Sequence, residues 1–158
     1  MMSDFVHLHC HSEYSLLDGA ARYRAIVGRA AQTGMPAVAI TDHGTMFGVI
    51  DFYRVAKEAG VKPILGCEVY VSPRSRLDKE VGKDDWQYHL VLLAQNETGY
   101  KNLMQLVSAG FLEGFYYKPR VDHELLKKYN QGLIALSACL AGEIPSFILS
   151  GQVEKARD

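Results

Sequence analysis

The chain has 158 residues, a length that suits a single domain with a substantial buried core. Its composition, 48% hydrophobic and 22% charged residues, is that of a globular domain and excludes a disordered tail, a collagen-like chain and a coiled coil. The 17 Lys and Arg residues are balanced by 18 Asp and Glu residues. The net charge of −1 therefore gives no overall attraction to nucleic acid, although a local basic patch is left open.

Short apolar runs rich in strand-forming residues alternate with helical patterns. The pattern first predicts a strand at 5–9, a helix at 23–31, a strand at 37–41, a helix at 48–59 and a strand within 61–71. It then predicts a charged surface loop at 72–87, a strand at 89–94, a helix at 98–108, a short helix after residue 122, a strand at 133–136, a helix from near residue 142 and another over 152–158. This order favours an α/β fold with largely parallel strands and outer helices.

Residues at the ends of these elements support the assignment. Gly34 and Gly60 are expected to end the first two helices. Thr98 and Asp122 are predicted to cap the helices that follow them. Five strands followed by an interrupted helix indicate an incomplete barrel.

Three features of the sequence bear on location. No apolar run reaches the roughly 20 residues that a membrane-spanning helix needs. The start of the chain, from Met1, lacks the basic and apolar regions of a secretory signal. Cys10, Cys67 and Cys139 are too few and too scattered for a disulfide framework. We therefore expect a cytoplasmic, reducing location and no membrane partner.

Three of the six histidines, His7, His9 and His11, occupy alternate positions at the end of the first predicted strand. On an extended chain, residues two apart point to the same side, so two imidazoles can bind one metal ion together. A single buried histidine is usually structural, whereas this spacing favours a metal site.

Further metal-binding residue types lie near the ends of other predicted strands. Asp42 and His43 follow the second strand, Glu68 lies in the third, and Cys139 follows the fifth. His89 opens its strand, so it joins the group only if that strand runs the other way or begins near the site. Asp42 as a turn or cap residue, and Glu68 paired with a base, remain alternatives.

Mixed histidine and carboxylate ligands with little cysteine are typical of bound Zn²⁺, Mn²⁺ or Fe²⁺ rather than of a structural zinc site. A cluster of such ions is an arrangement that cleaves phosphoesters. One ion can generate hydroxide near neutral pH while the others bind phosphate oxygens.

Several motifs together resemble one family. They are His9 and His11 followed by Ser12, YSLLDG at 14–19, TDHG at 41–44, FVHLH at 5–9, GVKPILG at 60–66, TGYKNL at 98–103, EGFYYKPR at 113–120 and GLIALS at 132–137. They are similar to the polymerase and histidinol phosphatase (PHP) domain, and more narrowly to the PHP domain at the N terminus of bacterial C-family replicative DNA polymerases. The similarity covers nearly the whole chain.

The resemblance implies an irregular seven-stranded (β/α) barrel with up to three divalent ions, zinc, manganese or iron. It implies metal ligands at His9, His11, Asp18, His43, Glu68, His89 and Cys139, with His9, His11, His43 and Glu68 as the catalytic core. Two further family ligands, an Asp-x-His pair, are not in this sequence. The chain is therefore expected to be a partial PHP domain over 1–158, without the rest of the barrel and the polymerase domains. His7 and Asp42 are expected to support the ligands from outside, with Asp42 holding a ligand's second ring nitrogen.

The segment 114–120 mixes aromatic and basic residues, a combination that suits single-stranded nucleic acid. Tyr116, Lys118 and Arg120 are the candidate contacts, and a loop packed on a neighbouring domain is the alternative. The resemblance implies as partners DNA, the polymerase core domains of the same full-length chain, a proofreading exonuclease and other replisome subunits.

Three functions are compatible with these residues. The first is a module of a DNA-directed DNA polymerase, a nucleotidyltransferase in DNA replication, with a PHP site of the 3′–5′ exonuclease or phosphoesterase type. This chain alone would not extend DNA. The second is a stand-alone metallophosphatase for small phosphomonoesters such as histidinol phosphate. The third is a non-catalytic docking module of the polymerase.

Overall fold

A computed structural model describes residues 4–157 of the chain; residues 1–3 and Asp158, which include the start of the chain and the end of the last predicted helix, lie outside the described part. The strands are β1 (Ala37–Ile40), β2 (Lys62–Val71), β3 (Tyr88–Ala94), β4 (Arg120–Val121) and β5 (Leu133–Leu136). The helices are α1 (Tyr23–Gln32), α2 (Val49–Glu58), α3 (Glu97–Leu112), α4 (His123–Lys128), α5 (Glu143–Leu149) and α6 (Val153–Arg157).

The five strands form one sheet in the order β1-β2-β3-β5, with β4 pairing to β2. β1 and β4 run parallel to β2, whereas β3 is antiparallel to both β2 and β5. Four of the five described strands therefore share one direction and β3 is reversed. The predicted α/β fold with largely parallel strands and outer helices is confirmed.

Alternation along the strands separates two faces of the sheet. Cys67 and Val69 of β2 point outward and pack against Leu103 and Leu106 of α3. On β1, Val38 and Ile40 likewise pack in a cluster with residues of α1 and α2. Glu68 pairs in register with Val91, which belongs to a small cluster on the other face. This second face, here called the inner face, therefore carries both a small apolar cluster and the carboxylate of Glu68.

The predicted helix boundaries are largely right. Gly34 and Gly60 have positive φ angles of 71° and 72° and end α1 and α2, because this left-handed conformation is easiest for glycine. Asp122 caps α4 as predicted, accepting a hydrogen bond from the Leu125 N–H. None of the described helices is long and apolar enough to cross a membrane.

Thr98 is not the cap of α3. The Asn96 side chain accepts a hydrogen bond of 3.0 Å from the Gly99 N–H, and the helix begins at the residue after Asn96. Asn and Thr both favour the cap position, and the capping residue has to precede the first turn. Thr98 already lies inside that turn.

The predicted strand at 5–9 is not a strand. Two backbone hydrogen bonds tie this part of the chain to β1 and the residue after it. The Ala39 N–H donates to the His7 carbonyl and the Thr41 N–H to the Cys10 carbonyl. These bonds align the segment beside β1 without forming a ladder. The fifth strand is instead β4, whose two residues are too few to produce a recognisable apolar pattern.

The segment 72–87 is only partly the surface loop that its charges predict. Arg76 and Asp84 are buried, and the buried Arg120 donates hydrogen bonds to the backbone carbonyls of both. Together with Glu113 and Asp122, which pair with Arg76, these residues are here called the arginine cluster. The Arg76 guanidinium lies 2.7 Å from Glu113 and 3.0 Å from Asp122. Burial alone would lower the pKa of Arg76, but these two carboxylates raise it. The guanidinium therefore stays charged inside the fold.

Candidate metal centre

The reversed strand explains how His89 reaches the site. Because β3 is antiparallel to β2, its first residues lie beside the last residues of β2, and His89 pairs in register with Tyr70. His43 follows β1 and forms an isolated parallel bridge with Glu68. The end of β1, the second half of β2 and the start of β3 therefore meet at one edge of the sheet.

Glu68 is the centre of the group. Its side chain is 1% exposed, and its Oε2 contacts Nε2 of His9 and lies 3.2 Å from Nε2 of His11. Its Oε1 lies 2.5 Å from Nδ1 of His89. His43 is slightly farther away, with Nδ1 3.8 Å from Oε2. The two carboxylate oxygens thus face different histidines, which is what a carboxylate needs to bridge two cations.

The histidines keep this buried carboxylate ionised. Burial alone would raise the pKa of Glu68, but hydrogen bonds with His11, His89 and His9 outweigh it and hold the pKa well below its usual range. The bond to Glu68 raises the pKa of His11. Burial, followed by repulsion from His11, lowers the pKa of His43. The centre therefore combines a stable anion with imidazoles of differing basicity.

The geometry fits bound metal ions. One possible ligand atom from each of His9, His11 and Glu68 lies within 4.8 Å of the others, and the same holds for His43, Glu68 and His89. Nδ1 of His11 and Nδ1 of His43 are buried without a hydrogen-bond partner in the described part of the chain. Buried polar atoms are normally paired, so unpartnered ring nitrogens beside a carboxylate indicate a place for a cation.

Asp18 and Cys139 lie at the margin of this group. Oδ2 of Asp18 is 3.0 Å from Nε2 of His43, while its side chain is 58% exposed. Sγ of Cys139 is 3.7 Å from Nδ1 of His89. Each touches one central histidine, so the structure brings together all seven residues that the resemblance implies as ligands. Their ligand roles stay predictions.

The two residues expected to support the ligands have other contacts. His7 is exposed, packs edge-on against Phe5 at 4.8 Å between ring centroids, and belongs to neither candidate metal group. The buried Asp42 accepts hydrogen bonds from the Ser12 N–H at 2.6 Å and from the hydroxyls of Ser12 and Ser15 at 2.8 Å each. The expected bond from Asp42 to a ring nitrogen is therefore wrong.

Asp42 still acts on the site through the backbone. The Ser15 hydroxyl that donates to Asp42 also accepts a hydrogen bond of 3.1 Å from the His43 N–H. A buried carboxylate that orders two serines fixes the loop leading to Asp18 and the backbone of His43. It positions these residues without contacting their rings.

The predicted nucleic-acid contacts separate into two kinds. Arg120 is 0% exposed, and its guanidinium donates to the backbone carbonyls of Arg76, Asp78, Asp84 and Gly114. It cannot contact nucleic acid, because it is fully buried and each of its three nitrogens already donates to a backbone carbonyl. Tyr116 and Lys118 are partly exposed, and their predicted contacts are untested.

Sequence reasoning missed Tyr70, whose ring borders the centre. The ring lies 6.0 Å from that of His43 and 5.2 Å from that of His89, centroid to centroid. Burial, with Glu68 as the next cause, raises the pKa of Tyr70 to about 12, so the phenol stays neutral. The signal was available, because Tyr70 is two residues beyond Glu68 and shares its face of β2.

Comparisons with known proteins identify the family of the chain. The PHP domain profile matches residues 7–158. Proteins named DNA polymerase III subunit alpha from Borreliella burgdorferi and Treponema pallidum are each 52% identical to the chain over 157 residues, and one from Thermus aquaticus is 51% identical over 156. The alignments cover 99%, 98% and 96% of this chain but only 14%, 13% and 13% of those proteins.

Solved structures give a more partial likeness. A protein of Bifidobacterium adolescentis described as a metal-dependent phosphoesterase shares 24% identity and a TM-score of 0.48 over 66% of this chain and 32% of its own. An amidohydrolase from Chromobacterium violaceum shares 25% identity and a TM-score of 0.47 with the same coverage. The resemblance drawn from the motifs is confirmed by the sequence relatives and by the profile match. The chain belongs to the PHP domain family.

Proposed function

We propose that this chain is the PHP part of a bacterial replicative DNA polymerase and that it hydrolyses phosphoesters with a divalent-metal cluster, in the manner of a 3′–5′ exonuclease. The observation that carries the proposal is the buried, ionised Glu68 surrounded by four histidines, two of which have unpartnered ring nitrogens. The names of the relatives support the replication setting.

His9 and His11 would hold one ion with Oε2 of Glu68, and His89 and His43 would hold a second, with Asp18 and Cys139 completing the cluster. Divalent ions at such a site supply a hydroxide nucleophile near neutral pH and neutralise the oxygens of the phosphate that is cleaved. The ligand types suit zinc, manganese or iron.

The chain's own residues prepare the site for this chemistry. Glu68 is held as an anion, so no proton has to leave it before a cation binds. Asp42 and Ser15 fix the backbone of His43. The ring of Tyr70 packs against the rings of His43 and His89 and so helps to hold their orientation.

The partial PHP domain over 1–158 would work with the remainder of a longer polymerase. Its substrate would be the end of a DNA strand, and its partners would be the polymerase core, a proofreading exonuclease and other replisome subunits in the bacterial cytoplasm. Extension of DNA would require those other domains.

The test is metal content by elemental analysis of the purified chain and of a His9→Ala/His11→Ala variant. His7→Ala is the matched control, because His7 is a nearby exposed histidine outside both candidate groups. We expect at least two equivalents of metal in the chain and in the control, and loss in the double variant. Metal-dependent release of nucleotides from single-stranded DNA should disappear with the metal. A folded chain without metal after incubation with zinc or manganese would overturn the proposal.

A non-catalytic docking role is the second candidate. It is supported by exposed apolar side chains of α5, Ile144, Ile148 and Leu149, which are 47%, 54% and 69% exposed. Full metal content without hydrolysis of diesters or monoesters would favour docking. Hydrolysis of small phosphomonoesters alone would favour a stand-alone phosphatase.

A further inference from the structure

A cavity of about 330 Å³ opens beside the metal centre. Asp18, His43 and His89 form the side that belongs to the centre, and Thr45 and Lys118 contribute to the other walls. Lys118 is the sole Lys or Arg among the described residues that line it. The cavity therefore joins the candidate ligands to a single fixed cation.

Tyr70 connects Lys118 to the centre. Nζ of Lys118 lies 4.4 Å from the centroid of the Tyr70 ring, and the same ring contacts His43 and His89. Within residues 4–157, Lys118 forms no ion pair with any carboxylate, unlike Lys83 and Lys101, which pair with glutamates. The ammonium group is thus held by an aromatic face that leaves its three donors available.

Thr45 provides an independent observation at the same cavity. Its Oγ1 is buried and has no hydrogen-bond partner among the described residues. A buried hydroxyl without a partner is costly, and one in a residue that lines a cavity is normally satisfied by a ligand or by water. An anion between Thr45 and Lys118 would satisfy the hydroxyl and neutralise the ammonium together.

The loop that carries Lys118 is fixed on both sides. The Tyr116 N–H donates to the Lys118 carbonyl at 3.0 Å, and the buried Arg120 anchors the residues that follow. Pro119 packs so closely on the segment after His43 that a Cβ on Gly44 would lie 2.9 Å from Pro119 Cγ. The lysine therefore stands on a rigid support, which is what the binding of a small anion requires.

We propose that Lys118, with the Thr45 hydroxyl as a second donor, binds the phosphate oxygens of the substrate at the metal centre. This assignment rests on the proposed phosphoesterase function. Lysine is a good phosphate ligand because it offers a point charge with freely rotating donors. Lys118 lines the same cavity as Asp18, His43 and His89, so its charge would add to that of the metal ions in binding a phosphate there.

The experiment measures binding of inorganic phosphate to the zinc-loaded chain by calorimetry, compared with Lys118→Met, Lys118→Arg and Thr45→Val. Lys57→Met is the control, because Lys57 is an exposed lysine that lines a different cavity. We expect Lys118→Met to weaken phosphate binding about tenfold to a hundredfold. Lys118→Arg should restore most of it, and Thr45→Val should show a smaller loss.

Zinc content and circular dichroism are measured on every variant, so that a loss of metal or of fold is recognised. Lys118→Met with unchanged zinc, unchanged fold and unchanged phosphate affinity would overturn the assignment. If Lys118→Met does not fold, the phosphate affinities of Lys118→Arg and Thr45→Val test the assignment instead. Phosphate affinity unchanged in Thr45→Val, or lost in a folded Lys118→Arg with full zinc, would also count against it.

Turnover separates this assignment from the proposed function. If the chain hydrolyses DNA ends, Lys118→Met should raise KM and lower kcat/KM while zinc content is constant. If it hydrolyses no phosphoester, yet phosphate binding still depends on Lys118, the proposed function fails and the anion site stands. Comparison of p-nitrophenyl phosphate with single-stranded DNA then distinguishes a monoester site from a site for strand ends.

Discussion

The metal centre and the arginine cluster both bury charged side chains, but they complete their hydrogen bonding in opposite ways. In the arginine cluster, every buried donor described here has a partner: Arg76 pairs with Glu113 and Asp122, and Arg120 donates to four carbonyls. At the metal centre, four histidines share one carboxylate, and ring nitrogens of His11 and His43 have no partner in the described chain.

This difference separates structural charge from functional charge. A buried network that satisfies all its polar atoms stabilises one arrangement of the chain and has nothing left to offer a ligand. A group that leaves buried ligand atoms unpaired is complete only when something binds. Residue type alone does not make the distinction, since Arg120 is the kind of residue expected on a nucleic-acid surface.

The largest loss of stability should follow from breaking the arginine cluster. Replacing Arg120 with methionine leaves four backbone carbonyls without their donor, at a cost of about 3–5 kcal/mol in the free energy of unfolding. Urea unfolding measures it. The control Arg54→Met removes an exposed arginine whose pair with Asp51 spans 4.0 Å, and should cost under about 0.5 kcal/mol. Equal losses in the two variants would mean that the guanidinium of Arg120 has no structural role.

The next effect should come from metal binding. At a free zinc concentration 100 times the dissociation constant, binding to the folded state raises the free energy of unfolding by about 2.7 kcal/mol. Thermal and urea unfolding with zinc and with a chelator measure this gain. It should be absent in His9→Ala/His11→Ala and retained in His7→Ala. A gain that survives in the double variant would place the metal elsewhere in the chain.

The smallest effect should appear in acid. Burial alone would raise the pKa of Asp122, but hydrogen bonds from the Arg76 and Leu125 backbone and the charge of Arg76 lower it. Because the pKa of Asp122 is lower in the folded chain than its ordinary value of 3.8, the ionised carboxylate stabilises the fold fully above pH 3.8. This stabilisation disappears as the pH falls through the pKa of the folded chain. The stability gap between the chain and Asp122→Asn should therefore narrow below pH 3.8. A difference in stability that does not change with pH would show that the charge of the Asp122 carboxylate does not stabilise the fold.

Much of the fold follows from local pattern. β1, β2, β3 and β5 each contain enough apolar residues to be recognised, and Asp122 caps a helix as its residue type predicts. β4 has two residues and owes its pairing to Tyr70 and Val71 of the neighbouring strand, so no local pattern could reveal it. The failure at 5–9 has a similar cause, because strand formation depends on a partner that pairs along the whole segment.

The site was predictable in its residues but not in its arrangement. The alternate histidines and Glu68 carry their own signal, whereas the place of His89 depends on the direction of β3, which the sequence does not encode locally. The error over Arg120 is of the same kind. Three of the four carbonyls that accept from its guanidinium belong to Arg76, Asp78 and Asp84, which are far away in the chain.

The reversal of β3 also decides where this protein tolerates changes in length. A reversed strand exchanges the roles of its two flanking loops. The loop before β3 leads into His89, whereas the turn after it, at Gln95 and Asn96, lies at the far edge of the sheet. Extra residues in that turn would disturb the Asn96 cap of α3 and the bond from the Gln95 N–H to the Gly132 carbonyl, whereas extra residues just ahead of Tyr88 would enter the segment that places His89 beside the end of β2. A change of length after β3 is therefore expected to cost stability at α3, and one before β3 to cost the metal centre.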